Sequence, residues 1–98
     1  MTVVVTSDVS ARVRGFLSSC MLELAPGVYT APRMVASVRD RVCEVLSGWW
    51  GDEPRGSMVM TWVDREAVGG QAVWNLGTPK KTLVDAGDEL YLVRCRDL

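Results

Sequence analysis

The apolar positions of this chain switch between two periods. Thr2 to Thr6 holds Val3, Val4 and Val5, a short unbroken β-branched run of the kind that fills a central strand, and Ser7 and Asp8 end it. From Ser10 to about Leu24 the spacing becomes three and four: Val13, Phe16, Leu17, Cys20, Met21 and Leu24 predict a helix with one core-facing stripe and Ser10 as its N-cap. Pro26 and Gly27 stop that helix, and Gly27-Val28-Tyr29-Thr30 reads as a short β segment. Pro32 suits the start of a second helix, whose stripe is Val35, Val38, Val42, Val45 and Leu46, with Gly48 as the expected stop.

Beyond a polar loop from Gly51 to Gly56, Ser57 to Val63 and Gln71 to Leu76 are both rich in β-formers and flank Gly69-Gly70, which predicts a hairpin. Thr82 to Asp85, a Gly87 turn and Glu89 to about Arg94 add strand segments at the C-terminal end. The order predicts an α+β, ferredoxin-like domain over residues 1–98, with two helices on one face of a largely antiparallel sheet. A chain of 98 residues buries only about 60 to 65% of its unfolded surface, so a self-association surface is expected to supplement a thin core.

Composition narrows the chemistry. With 48% apolar and 23% charged residues the chain lies in the globular range, and its net charge of -1 argues against a general polyanion binder unless cations cluster locally. Cys20, Cys43 and Cys95 are odd in number and lack CxxC spacing, and there is no histidine, so neither a disulfide framework nor a zinc site is supported. No apolar run approaches the ~18 to 20 residues of a membrane span, and the opening MTVVVTSD lacks the basic and apolar regions of a secretion signal, so a cytoplasmic protein with reduced thiols and no membrane contact is expected.

Among the polar residues, Arg12 and Arg14 fall in the first turns of helix one, where the helix dipole disfavours cations by about 0.3 to 1 kcal/mol. A phosphate would offset that cost and would match the guanidinium fork, although an ideal helix points the two about 160° apart and two solvated arginines are the alternative. Lys80 and Lys81 sit together in a Gly-Thr-Pro loop, where adjacent cations are ordinarily solvated. Arg33, Ser37 and Arg41 share a face with Asp40 and Glu44, an ordinary salt-bridged surface, while Arg39 lies at the edge of the apolar stripe. Asp8 is the acid nearest the end of the first strand, a turn or capping residue on local grounds. Trp62 and Trp74 occupy the two arms of the hairpin, and Trp49-Trp50, placed after helix two, read as packing or interface residues rather than base-stacking platforms.

Taken in order, Val3-Val4-Val5-Thr6, Arg12 to Leu17, Gly27-Val28-Tyr29, Val59 to Trp62, Leu76-Gly77, Lys80-Lys81-Thr82 and Val84-Asp85 resemble the second CRISPR-associated protein of type I-E systems over almost the whole chain. The resemblance implies a homodimer that bridges two dimers of the CRISPR integrase, the first CRISPR-associated protein. It further implies that the complex binds a double-stranded prespacer DNA during spacer acquisition, with C-terminal strand segments engaging the dimer partner. By the same resemblance Arg12, Arg14, Lys80, Lys81 and Arg39 are the DNA-binding residues, on the phosphate backbone and without cofactor. Ser37 stands where the family's better-known helix-two lysine would be, and Ser7 where relatives often carry glutamate. More distant branches are metal-dependent endonucleases, so the alternative is a magnesium-dependent endoribonuclease or DNase in which Asp8, paired with its copy across the dimer, is the catalytic and metal-binding candidate.

Overall fold

Strand β1, Thr2–Ser7, lies near the middle of the sheet, and its alternating burial sets the two faces of the molecule. The computed structural model describes residues 1–77 with their side chains and the backbone of residues 81–86 and 89–94. After β1 come α1 (Ala11–Cys20), β2 (Leu22–Ala25), β3 (Val28–Ala31), α2 (Ala36–Asp52), β4 (Ser57–Val63), a 3-10 turn (Val68–Gly70) and β5 (Gln71–Leu76); β6 (Lys81–Ala86) and β7 (Glu89–Arg94) follow. Five strands form one antiparallel sheet in the order β2-β3-β1-β4-β5. Because β3 lies between β1 and β2, and β1 between β3 and β4, two strand-helix-strand units interlock, an α+β arrangement compatible with a ferredoxin-like fold to which β5 adds an edge.

Register decides what the sheet buries. Val4 stands opposite Tyr29 and Met60, and Met60 opposite Trp74, so these side chains share a face. Val4, Tyr29 and Met60 are fully buried and join Val13 and Leu17 of α1 and Val42 and Leu46 of α2 in one core, so both helices cover that face. Each such aliphatic side chain contributes about 1.5 to 3 kcal/mol on leaving water. The other face carries Val3, Val5, Val28, Val59 and Val73 among Thr30, Thr61 and Asn75, with Val5 47% and Val73 39% exposed. No described helix packs there.

Three elements depart from the sequence reading. α1 stops at Cys20 rather than continuing to Leu24: Met21 turns extended, its N–H returns to the Leu17 carbonyl at 2.8 Å, and Leu22–Ala25 becomes an edge strand beside β3. Pro26 and Gly27 are a hairpin turn, held to the end of β1 because the Thr6 N–H and hydroxyl both donate to the Gly27 carbonyl, at 2.7 and 3.0 Å. α2 begins at Ala36 behind an uncapped Val35, and it runs through Gly48 and Gly51 to Asp52. Each interior glycine costs about 1 kcal/mol relative to alanine, offset here by Trp49 and Trp50, which pack against the core from the last turns. Val35 and Val38 of the predicted stripe are exposed, and Arg39 and Cys43 share the inward side with Val42 and Leu46.

The β4–β5 hairpin forms as expected, in register from Met58 opposite Leu76 to Val63 opposite Gln71. β6 and β7 pair only with each other, Lys81 opposite Arg94 through Ala86 opposite Glu89, and make a separate two-stranded sheet. Among the described residues no helix is long and apolar enough to cross a membrane.

Candidate nucleic-acid interface

The end of the sheet where β1 runs into α1 is built by close backbone approach. Asp8 turns the chain at φ 54°, the Ser10 hydroxyl caps α1 by accepting from the Val13 N–H at 3.4 Å, and no acidic residue occupies the first helical turn. Gly56, at φ 72°, lies against this turn so closely that a Cβ would overlap the carbonyl oxygens of Ser7 and Asp8. Gly77 packs on Gly56 in the same way. The segment leading to Lys80 therefore starts at the end of the sheet that carries the N-terminus of α1. Lys80 itself lies outside the described residues, as does the Lys81 side chain, although the Lys81 backbone opens β6.

Arg12 and Arg14 leave α1 on opposite flanks, as a 100° step per residue requires. Arg14 lines an open cleft of about 240 Å³ together with Asp8, Gly27 and Arg55. There Arg55 donates to the Asp8 carboxylate at 3.2 Å, an ion pair with both side chains more than half exposed, worth about 0 to 1 kcal/mol. Arg12 goes the other way and lays its guanidinium over the Trp49 ring, 4.2 Å from the centroid. Phe16 packs T-shaped against the same indole, with ring centroids 5.1 Å apart and an interplanar angle of 81°. Arg12 is exposed, and among the described residues no carboxylate pairs with Arg12 or Arg14, whereas Arg41 and Arg55 have Glu44 and Asp8.

Arg39 makes a similar stack elsewhere. Its guanidinium lies 4.3 Å from the centroid of the Trp62 ring, between α2 and β4, and its Nε and the Trp62 indole nitrogen are buried without a hydrogen-bond partner among the described residues. The structure thus separates Arg39 from the α1 terminus and sets it partly into the protein. One turn further along α2, Cys43 touches the Met60 sulfur at 3.7 Å, and burial pushes its thiol up, with Asp40 adding to the shift and Arg39 opposing it.

A magnesium ion would want several hard oxygen ligands. One chain offers it the Asp8 carboxylate with the Arg55 guanidinium already against it, and among the described residues no three potential ligands converge anywhere. That donor set does not make a site by itself, and a metal-dependent reading needs Asp8 from a second copy.

Two contributors escape a reading of the sequence. Arg55 carries its only signal in its neighbour Gly56, since a glycine in a polar loop hints at close approach. Trp49 reads as a packing residue, and nothing local announces that it meets Arg12. With this geometry in place, the comparison with known families is specific: residues 1–90 match the model of a family described as CRISPR-associated protein (Cas_Cas2CT1978). The match spans nearly the whole chain, including both helices, the five-stranded sheet and every residue of the α1 terminus described above, and the protein belongs to this Cas2-type CRISPR-associated family.

Proposed function

We propose that the protein is a DNA-binding scaffold of CRISPR adaptation, of the type I-E kind, in which a homodimer holds duplex prespacer DNA and spaces two integrase dimers. The observation that supports it is the pairing pattern of the arginines. Arg12 and Arg14 project from a helix N-terminus, where their charge is disfavoured, and among the described residues no carboxylate neutralises either. A phosphate backbone supplies the missing anion, and guanidinium contacts to phosphate carry no sequence information, which suits a protein that accepts any invading DNA. Lys80, which lies outside the described residues, and Lys81, whose side chain does, join the proposed set on the family resemblance alone.

The second copy has its own support. Among the described residues no helix covers the valine-rich sheet face, where Val5 and Val73 are exposed, and a two-stranded hairpin such as β6–β7 is marginal in water unless it packs on something. A symmetric partner answers both needs by placing sheet face against sheet face and giving each hairpin an edge strand to extend. The dimer doubles the cations along one duplex.

The test is strand transfer of a labelled prespacer by purified integrase with this protein. Asp8→Asn should leave product near wild type, and replacement of Arg12, Arg14, Lys80 and Lys81 by alanine should impair it while the dimer stays folded. Loss of product in Asp8→Asn with folding intact would favour the magnesium-dependent nuclease and overturn the scaffold.

A further inference from the structure

Arg12 is held differently from every other arginine of the α1 terminus. Arg55 is fixed by a carboxylate, which consumes donors and cancels charge. Arg12 is fixed by a ring face, which does neither. A guanidinium lying on an indole keeps its in-plane N–H groups pointing outward, and those are the groups that a phosphate oxygen accepts from. The indole is itself oriented: Phe16, one turn along α1 from Arg12, packs T-shaped against Trp49 with the ring planes at 81°. The price of ordering a long side chain, normally met when the ligand arrives, is therefore reduced before binding.

We propose that Trp49 is the positioning residue of the phosphate contact, holding Arg12 in the orientation in which it meets the DNA backbone; this rests on the duplex-binding reading above. Trp49 lies near the end of α2, beyond Gly48, where the sequence pattern predicts the helix to have stopped. Carrying the helix through Gly48 brings the indole under Arg12, so the same residue that packs on the core is the one that presents the cation.

A double-mutant cycle tests it on the full-length protein with a duplex of mixed sequence, measuring affinity and melting temperature together. Arg12→Ala reads the phosphate contact. Trp49→Leu, which keeps an apolar side chain but has no ring face, should weaken binding roughly two- to five-fold per site in the wild-type background. In the Arg12→Ala background it should have no further effect, and Trp49→Phe should restore most of the loss. An equal loss in both backgrounds, or none in either, with Arg12→Ala still defective, would overturn the positioning role and leave the duplex reading standing. An Arg12→Ala variant that binds like wild type would remove the contact and the positioning role together. Should Trp49→Leu not fold, fluorotryptophan labelling reads the same contact in the intact protein. The residue-49 resonance should move on duplex addition and stay still in Arg12→Ala, and an unmoved wild-type resonance would contradict the proposal.

Discussion

Arg12 on Trp49 and Arg39 on Trp62 are nearly the same contact, at 4.2 and 4.3 Å from the ring centroid, in two different settings. Arg12 is exposed, at the N-terminus of α1, on a ring that Phe16 packs against T-shaped. Arg39 is half-buried between α2 and β4, with its Nε buried and, among the described residues, without a hydrogen-bond partner. Stacking distance therefore says little about role. What differs is the access of the guanidinium edge: Arg12 presents it to solvent, where a phosphate can reach, while Arg39 presents part of it to the protein interior, where it serves packing. Two basic residues that a sequence reading groups together are thereby separated by burial.

The largest effect that would break this comparison is on stability. Trp62→Ala should cost roughly 3 kcal/mol in urea denaturation, because it removes the ring that β4 packs beneath α2; a loss under about 1 kcal/mol would show that the buried stack does not hold the fold. Arg39→Ala should cost about 1 to 2 kcal/mol through lost cover on Trp62, and duplex affinity of the folded protein should be unchanged. Weaker DNA binding at full stability would instead place Arg39 with Arg12. Arg12→Ala should show the reverse balance, with stability within about 1 kcal/mol of wild type and duplex affinity lower by roughly tenfold in a dimer that loses two charged contacts.

The smallest effect sharpens the picture of the α2 layer. Burial raises the Cys43 thiol, so near pH 8.5 less of it is thiolate than in a free cysteine. In a protein with Cys20 and Cys95 replaced by serine, alkylation of Cys43 should be slower than that of a model thiol and should accelerate only as pH rises further. A rate matching the model thiol would mean that the layer beside Arg39 is open.

What the sequence makes legible is local. The β4–β5 hairpin follows from alternation on both sides of Gly69-Gly70, and Ser10 caps α1 as its position implies. The opposite flanks taken by Arg12 and Arg14 follow from helical geometry alone. Residues 22–25 are misleading because Leu24 continues the helical spacing of Val13, Leu17 and Met21, while Pro26-Gly27 serves equally as a helix stop or as a hairpin turn; pairing with β3 decides it. Gly48 is likewise a plausible stop until the core claims Trp49 and Trp50. The contacts that define the α1 terminus join distant segments, Asp8 to Arg55, Arg12 to Trp49 and Gly56 to Gly77, and no local pattern encodes them.

In the proposed scaffold, exposed cations at this end of the sheet neutralise duplex phosphates without reading bases. The most direct measurement is the dependence of duplex affinity on salt, for two duplexes of unrelated sequence, with wild type and with Arg12 and Arg14 both replaced by alanine. Both sequences should give the same negative slope. The double variant should flatten it by about 0.9 per lost contact, or nearly four in a dimer, on both duplexes alike. A slope that the substitutions leave unchanged, or a loss confined to one sequence, would contradict it.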